Sequence, residues 1–225
     1  MGGFIIMKNK KITSLLVAGA LTVGIVGGTL AWLTASDSVT NKFDTAKNQN
    51  VTVQIWEKFD SVGSKAMQPG KVVDKAVQVK NSADFDQFIR VKLDVTGLTS
   101  NVSAQYFDNN ISTKDNIKDN TWVLASDGAY YYMGKVGAGK FTNGLLKSVT
   151  FSSDAKLEDM NKAFTIPVET LSVQASNDAY ASLYDTLDAT KDAKIIEKLK
   201  GYQNATAVGN DSEITGATDT TATEY

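Results

Sequence analysis

The chain has no cysteine and no histidine, and only two prolines in 225 residues. Without cysteine there is no disulfide, no thiolate nucleophile and no cysteine-based metal site. Without histidine there is no Ser-His-Asp triad, no histidine-ligated zinc and no imidazole proton shuttle. Any chemistry must use carboxylates, lysines, hydroxyls, amides or the backbone. Acids are also missing from the start: the first is Asp37.

What the first segment does contain is an address. Lys8, Lys10 and Lys11 precede an apolar, small-residue run over 12–28, followed by Thr29-Leu30-Ala31. This is the layout of a secretory signal peptide over 1–31, with cleavage between Ala31 and Trp32. An uncleaved anchor is the alternative, but the run is short for a span and glycine-rich. Cleavage removes three lysines and no acids, so 23 basic and 25 acidic residues become 20 and 25. A mildly acidic product lacks the basic footprint that nucleic acid or an anionic membrane requires. The expected location is secreted, in the extracellular matrix or at the cell surface.

The body reads as β. Val51-Thr52-Val53-Gln54-Ile55-Trp56 alternates, as do 71–79 and 88–95, where Ile89, Val91, Leu93 and Val95 oppose Phe88, Arg90, Lys92 and Asp94. Period two marks strands with one buried face. Further strands are expected over 121–124, 129–134, 145–152 and 164–175, with Pro167 marking an edge or bulge. Asp127-Gly128 between Trp122-Val123-Leu124 and Tyr130-Tyr131-Tyr132 is a hairpin signal. The fold class expected is mainly β: a single jelly-roll or β-sandwich domain over 50–202 with short helical insertions. Helix is expected near 154–162 and over 178–199, with Ser176 or Asn177 as N-cap and Gly201 just past the C-terminus. Residues 203–225 lack periodicity and read as a flexible tail.

Candidate chemistry is thin. Gly134–Lys140 fits most of a phosphate-binding G-x-x-x-x-G-K loop, but Phe141 stands where Ser or Thr must hold Mg²⁺. A glycine-rich turn between strands is the better reading. The carboxylate pairs Asp84/Asp86, Glu158/Asp159 and Asp185/Asp188 read as solvated surface. Asp108, Asp115 and Asp119 share a polar loop without EF-hand spacing. No metal and no cofactor is expected. Three consecutive tyrosines, 130–132, cannot share one face, so at least one is expected to point outward, as a carbohydrate or protein contact or as a ring on the rim.

The segment Gly27-Gly28-Thr29-Leu30-Ala31-Trp32-Leu33-Thr34-Ala35-Ser36-Asp37, followed by Val39-Thr40-Asn41-Lys42-Phe43, resembles the signal-peptide junction of the TasA/CalY (camelysin-like) family. Gln68-Pro69-Gly70, Phe88-Ile89-Arg90-Val91-Lys92, the 122–149 region and Ile166-Pro167-Val168-Glu169 are most similar to its clostridial BsaA-type branch. The resemblance spans about residues 20–176. It implies an exported, pilus-like biofilm matrix fibre subunit, processed by a dedicated SipW-type signal peptidase. It implies a homopolymer with itself as partner, alongside other matrix components. Polymerisation by donor-strand complementation follows, with 32–49 as the donor and Trp32, Leu33, Val39 and Phe43 as its apolar anchors. It also implies intersubunit isopeptide bonds; Lys42 and Lys47 are the candidate amines and Glu169 the candidate carboxyl, or else a helper acid or an outward-facing side chain. Members carry a metallopeptidase label, but a zinc peptidase normally needs histidine ligands, so this chain is expected not to be an enzyme. A monomeric surface adhesin or carbohydrate-binding module is the competing reading.

Overall fold

The computed structural model describes residues 34–39, 53–60, 68–95, 98, 100–154, 166–176, 178–183 and 186–220. Two β-sheets face each other in a sandwich. The six-stranded sheet has the order β1-β10-β4-β8-β7-β6. These are β1 Thr34–Val39, β10 Val168–Gln174, β4 Gln87–Leu93, β8 Ala129–Tyr132, β7 Trp122–Leu124 and β6 Ile111–Ser112. The five-stranded sheet runs β11-β2-β3-β9-β5. It contains β11 Thr218–Asp219, β2 Val53–Phe59, β3 Val72–Asn81, β9 Leu146–Phe151 and β5 Val102–Tyr106. Neighbours are antiparallel except β6 and β7.

The alternation in the sequence decides which side chains meet. Val53 and Ile55 from β2, Val77 and Val79 from β3, and Ile89, Val91 and Leu93 from β4 all enter the core between the sheets. Trp122 and Tyr132 pack edge to face there, with ring centroids 5.0 Å apart. Each fully buried large side chain contributes roughly 1.5–3 kcal/mol. The other face of the six-stranded sheet is buried as well. Phe88, Val123, Tyr131 and Val173 form a second core with Ala179, Leu183, Ile195 and Leu199 from a helical layer.

That layer is two helices, not the single one expected over 178–199. They are α1 Tyr180–Leu183 and α2 Ala193–Tyr202. The break has a local cause. The Asp188 carboxylate accepts hydrogen bonds from the backbone N–H of Thr190 and Lys191, both at 2.9 Å. Such a turn competes with helical pairing. Those same bonds, with the Lys191 ammonium, hold the Asp188 carboxyl below the ordinary range. Gly201 lies inside α2 rather than beyond it. Residues 155–162 and Asn177 are outside the described residues.

Pro167 stands just before β10, which is an inner strand, paired with β1 on one side and β4 on the other. It therefore marks neither an edge nor a bulge within that strand. The hairpin at Asp127-Gly128 forms as expected: Gly128 takes φ 79°, where glycine has no Cβ penalty.

Residues 203–220 depart most from expectation. They do not dangle; they lie along the five-stranded sheet. Val208 donates to the Lys135 carbonyl at 2.7 Å, and Phe141 and Asn210 exchange two backbone hydrogen bonds. β11 then pairs with β2 at Glu57 and Trp56. Gly209 permits this approach: a Cβ there would lie 2.6 Å from that of Lys140. The partners are mostly backbone groups, so no apolar period announces the segment.

Candidate functional site

At the outer edge of β10, residues 34–39 of the expected donor segment lie beside Glu169. β10 runs antiparallel to β1, with Val39 opposite Val168, Ser38 opposite Glu169, Asp37 opposite Thr170 and Ala35 opposite Ser172. On its other side Lys92 stands opposite Glu169 and Val91 opposite Thr170. Val168, Thr170 and Ser172 are buried toward the inter-sheet core, while Glu169 is exposed. Thr170 donates its hydroxyl to the Arg90 carbonyl at 3.1 Å. The Ser172 hydroxyl and both amide atoms of Gln87 are buried with no hydrogen-bond partner among the described residues. This edge is a slot: apolar at Val168, polar toward Ser172, and flanked by an exposed acid.

In the single chain the slot is filled by the chain's own residues 34–39. That is the ordinary N-terminal strand, and it uses the same backbone edge that a donor strand from another copy would use. Of the apolar anchors, Val39 lies in β1, opposite Val168. Trp32, Leu33 and Phe43 lie outside the described residues, as do Lys42, Lys47 and the cleavage residue Ala31.

Glu169 lies in β10, as expected, and of the alternatives open for it the structure shows the outward-facing side chain. Strand parity explains this, since its neighbours Val168 and Thr170 take the inward positions. In the single chain it is an outward-facing acid in a cross-strand row with Lys92 and Ser38.

The expectation of an outward-pointing tyrosine in the triplet is corrected. Tyr130 and Tyr132 enter the inter-sheet core, and Tyr131 enters the core beneath the helices. All three are buried. Burial raises the Tyr132 phenol to about 12, against a partly opposing backbone bond from Asn143. The Tyr131 hydroxyl donates to Asp127 at 2.9 Å, and Arg90 and Thr186 bond the same carboxylate. This network pins the helical layer to the sheet.

The other candidates disperse. Gly134–Lys140 is a turn between β8 and β9 with Gly139 at φ 72°, and no helix follows it. Asp115 pairs with Lys194 at 3.0 Å. Asp119 pairs with Lys198 at 3.1 Å, and the bonds from Tyr202 and Lys198 hold its carboxyl below the ordinary range. Asp108 lies apart in a 3-10 turn. Asp115 and Asp119 thus bind α2, and among the described residues the acids form no metal-holding cluster. Asp86 pairs with Lys135 at 3.3 Å. Glu158, Asp159 and Asp185 lie outside the described residues.

Two polar features were invisible in the sequence. Lys75 and Glu57 form an ion pair at 3.0 Å with side chains only 2% and 5% exposed. Asp192, fully buried, accepts from Lys114 at 2.5 Å and from the Ser126 backbone at 3.1 Å. It also accepts from the Ser126 hydroxyl. Burial opposes its ionisation, but the Lys114 and Ser126 bonds prevail and its carboxyl sits below the ordinary range. Both pairs bring residues together from separate elements, so no local pattern signals them.

No family model, no curated protein and no solved structure matches the chain.

Proposed function

We propose that this chain is a secreted structural subunit that polymerises head to tail by donor-strand exchange into extracellular matrix fibres. The observation that carries the reading is the place of β1. It is an edge strand of the six-stranded sheet, held by β10 alone in that sheet. Residues 40–52 separate it from β2. A linker of that length spans on the order of 40 Å when extended, so β1 can leave while both sheets keep their remaining strands. Its departure bares the N–H and C=O groups of β10, a template for pairing with another chain.

The resemblance at the signal junction and along 20–176 supports export through a signal peptide at 1–31 and a donor at 32–49. A covalent lock between Lys42 or Lys47 and Glu169 belongs to the same reading. It requires the incoming strand to cover Glu169, because that carboxyl is exposed in the single chain. The adhesin reading loses its contact surface, since the tyrosine triplet is buried.

The test is the mature chain beginning at Trp32, examined for filaments and for an SDS-stable ladder. Deleting 32–49 is expected to abolish filaments and leave a folded β monomer. Filaments that persist after the deletion would refute strand exchange. Mass spectrometry of denatured polymer without any Lys42 or Lys47 cross-link would refute the covalent lock alone.

A further inference from the structure

Resting on the strand-exchange reading, we infer that the incoming N-terminal segment of a second copy binds β10 in a different register from the chain's own β1. It is displaced by four residues, so that Lys42 rather than Ser38 stands opposite Glu169. By register, the chain's own β1 brings few apolar residues to the slot. Opposite the inward-facing Val168, Thr170 and Ser172 it offers Val39, Asp37 and Ala35. Only one of these is a sizeable apolar residue, and one is an acid. Opposite the exposed Glu169 it offers a serine.

The residues that follow suit the slot better. Val39-Thr40-Asn41-Lys42-Phe43 alternates, with Val39, Asn41 and Phe43 on one face and Thr40 and Lys42 on the other. An odd displacement exchanges the two faces and is excluded by the buried one. A displacement of two puts Asn41 opposite Val168, which is fully buried in the inter-sheet core. A displacement of six puts Asp44 opposite Glu169, and like charges directly opposite are destabilising. A displacement of four puts Phe43 opposite Val168 and Asn41 opposite the Thr170 hydroxyl. It puts Lys42 opposite Glu169, which already faces Lys92 across β10. The result is a row of alternating charge, Lys92–Glu169–Lys42, over an apolar Phe43–Val168 contact. Self-pairing and exchange then compete for one edge, and the exchanged strand holds the better complement.

Disulfide trapping reads the register directly, because the chain has no native cysteine. Paired residues on adjacent strands lie within the Cα separation a disulfide tolerates. Two double variants are made in the mature chain: Lys42→Cys with Glu169→Cys, and Ser38→Cys with Glu169→Cys. Fibres of each are oxidised mildly, denatured and run without reductant. The expected result is an intermolecular ladder for 42/169 and none for 38/169. A ladder for 38/169 alone, or fibres with a ladder for neither, overturns the displaced register while leaving strand exchange standing. No fibres from the unsubstituted chain refutes strand exchange itself. A charge swap gives a second reading without cysteine. Lys42→Glu is expected to slow assembly severalfold, and Lys42→Glu with Glu169→Lys to restore it; equal slowing in both overturns the Lys42–Glu169 pairing.

Discussion

Asp192 shows how one residue can organise a layer. Its carboxylate joins the start of α2 to Ser126 in the β7–β8 turn and to Lys114 in the loop after β6. Asp192→Asn keeps the shape and removes the charge. The expected loss is about 2–4 kcal/mol in urea unfolding, since truncating a buried charged network strands its partners. The pH dependence follows from the lowered carboxyl. The unfolded chain binds the proton more readily, so this contribution is complete above the ordinary carboxylate value of about 3.9 and is lost as pH falls through the folded value. The variant should lose less stability than the parent on acidification below about pH 4. The Lys75–Glu57 pair makes a contrasting case. Glu57→Ala strips a buried ammonium of this carboxylate and should cost about 3–5 kcal/mol, whereas an apolar replacement of both residues should be near neutral. An equal loss in the single and double variants, measured by urea unfolding, would contradict that account.

Elements were legible wherever side chains alternate. β2, β3 and β4 follow period two, and the Asp127-Gly128 turn fixes the β7–β8 hairpin. The pattern fell short where structure is held by backbone or by distant charge. β5 carries a mixed, partly exposed row, Val102 to Tyr106, and was missed. β11 has two residues and gains its place from hydrogen bonds to β2. The apolar positions of 178–199 are real, since Ala179, Leu183, Ile195 and Leu199 share one core. What the spacing concealed was the Asp188 turn between them. The tail makes a prediction at this scale. Truncation after Gln203 removes β11 and the Asn210–Phe141 pairing, and uncovers Trp56, whose ring meets Phe141 edge to face at 5.2 Å. The truncated chain should unfold at lower urea and show greater tryptophan exposure by fluorescence quenching. An unchanged midpoint would mean that the tail contributes nothing to the sandwich.

For the whole molecule, the candidate site was legible as a segment and not as a geometry. The residues at 27–43 and 166–169 pointed to a donor and to β10, but strand parity put Glu169 on the outer face. Which chain's strand fills the β10 slot is what the proposed exchange turns on. Without β1, the side chains of the other strands that build both hydrophobic cores remain in place. The sandwich should therefore fold alone, with β-type circular dichroism and a cooperative urea transition.

The central claim is that the chain builds fibres by lending its N-terminus to a neighbour. It is tested most directly by electron microscopy of the purified mature chain beginning at Trp32, beside the same chain lacking 32–49. The account predicts filaments from the first and folded monomers from the second. Monomers from both, or filaments from both, would contradict it.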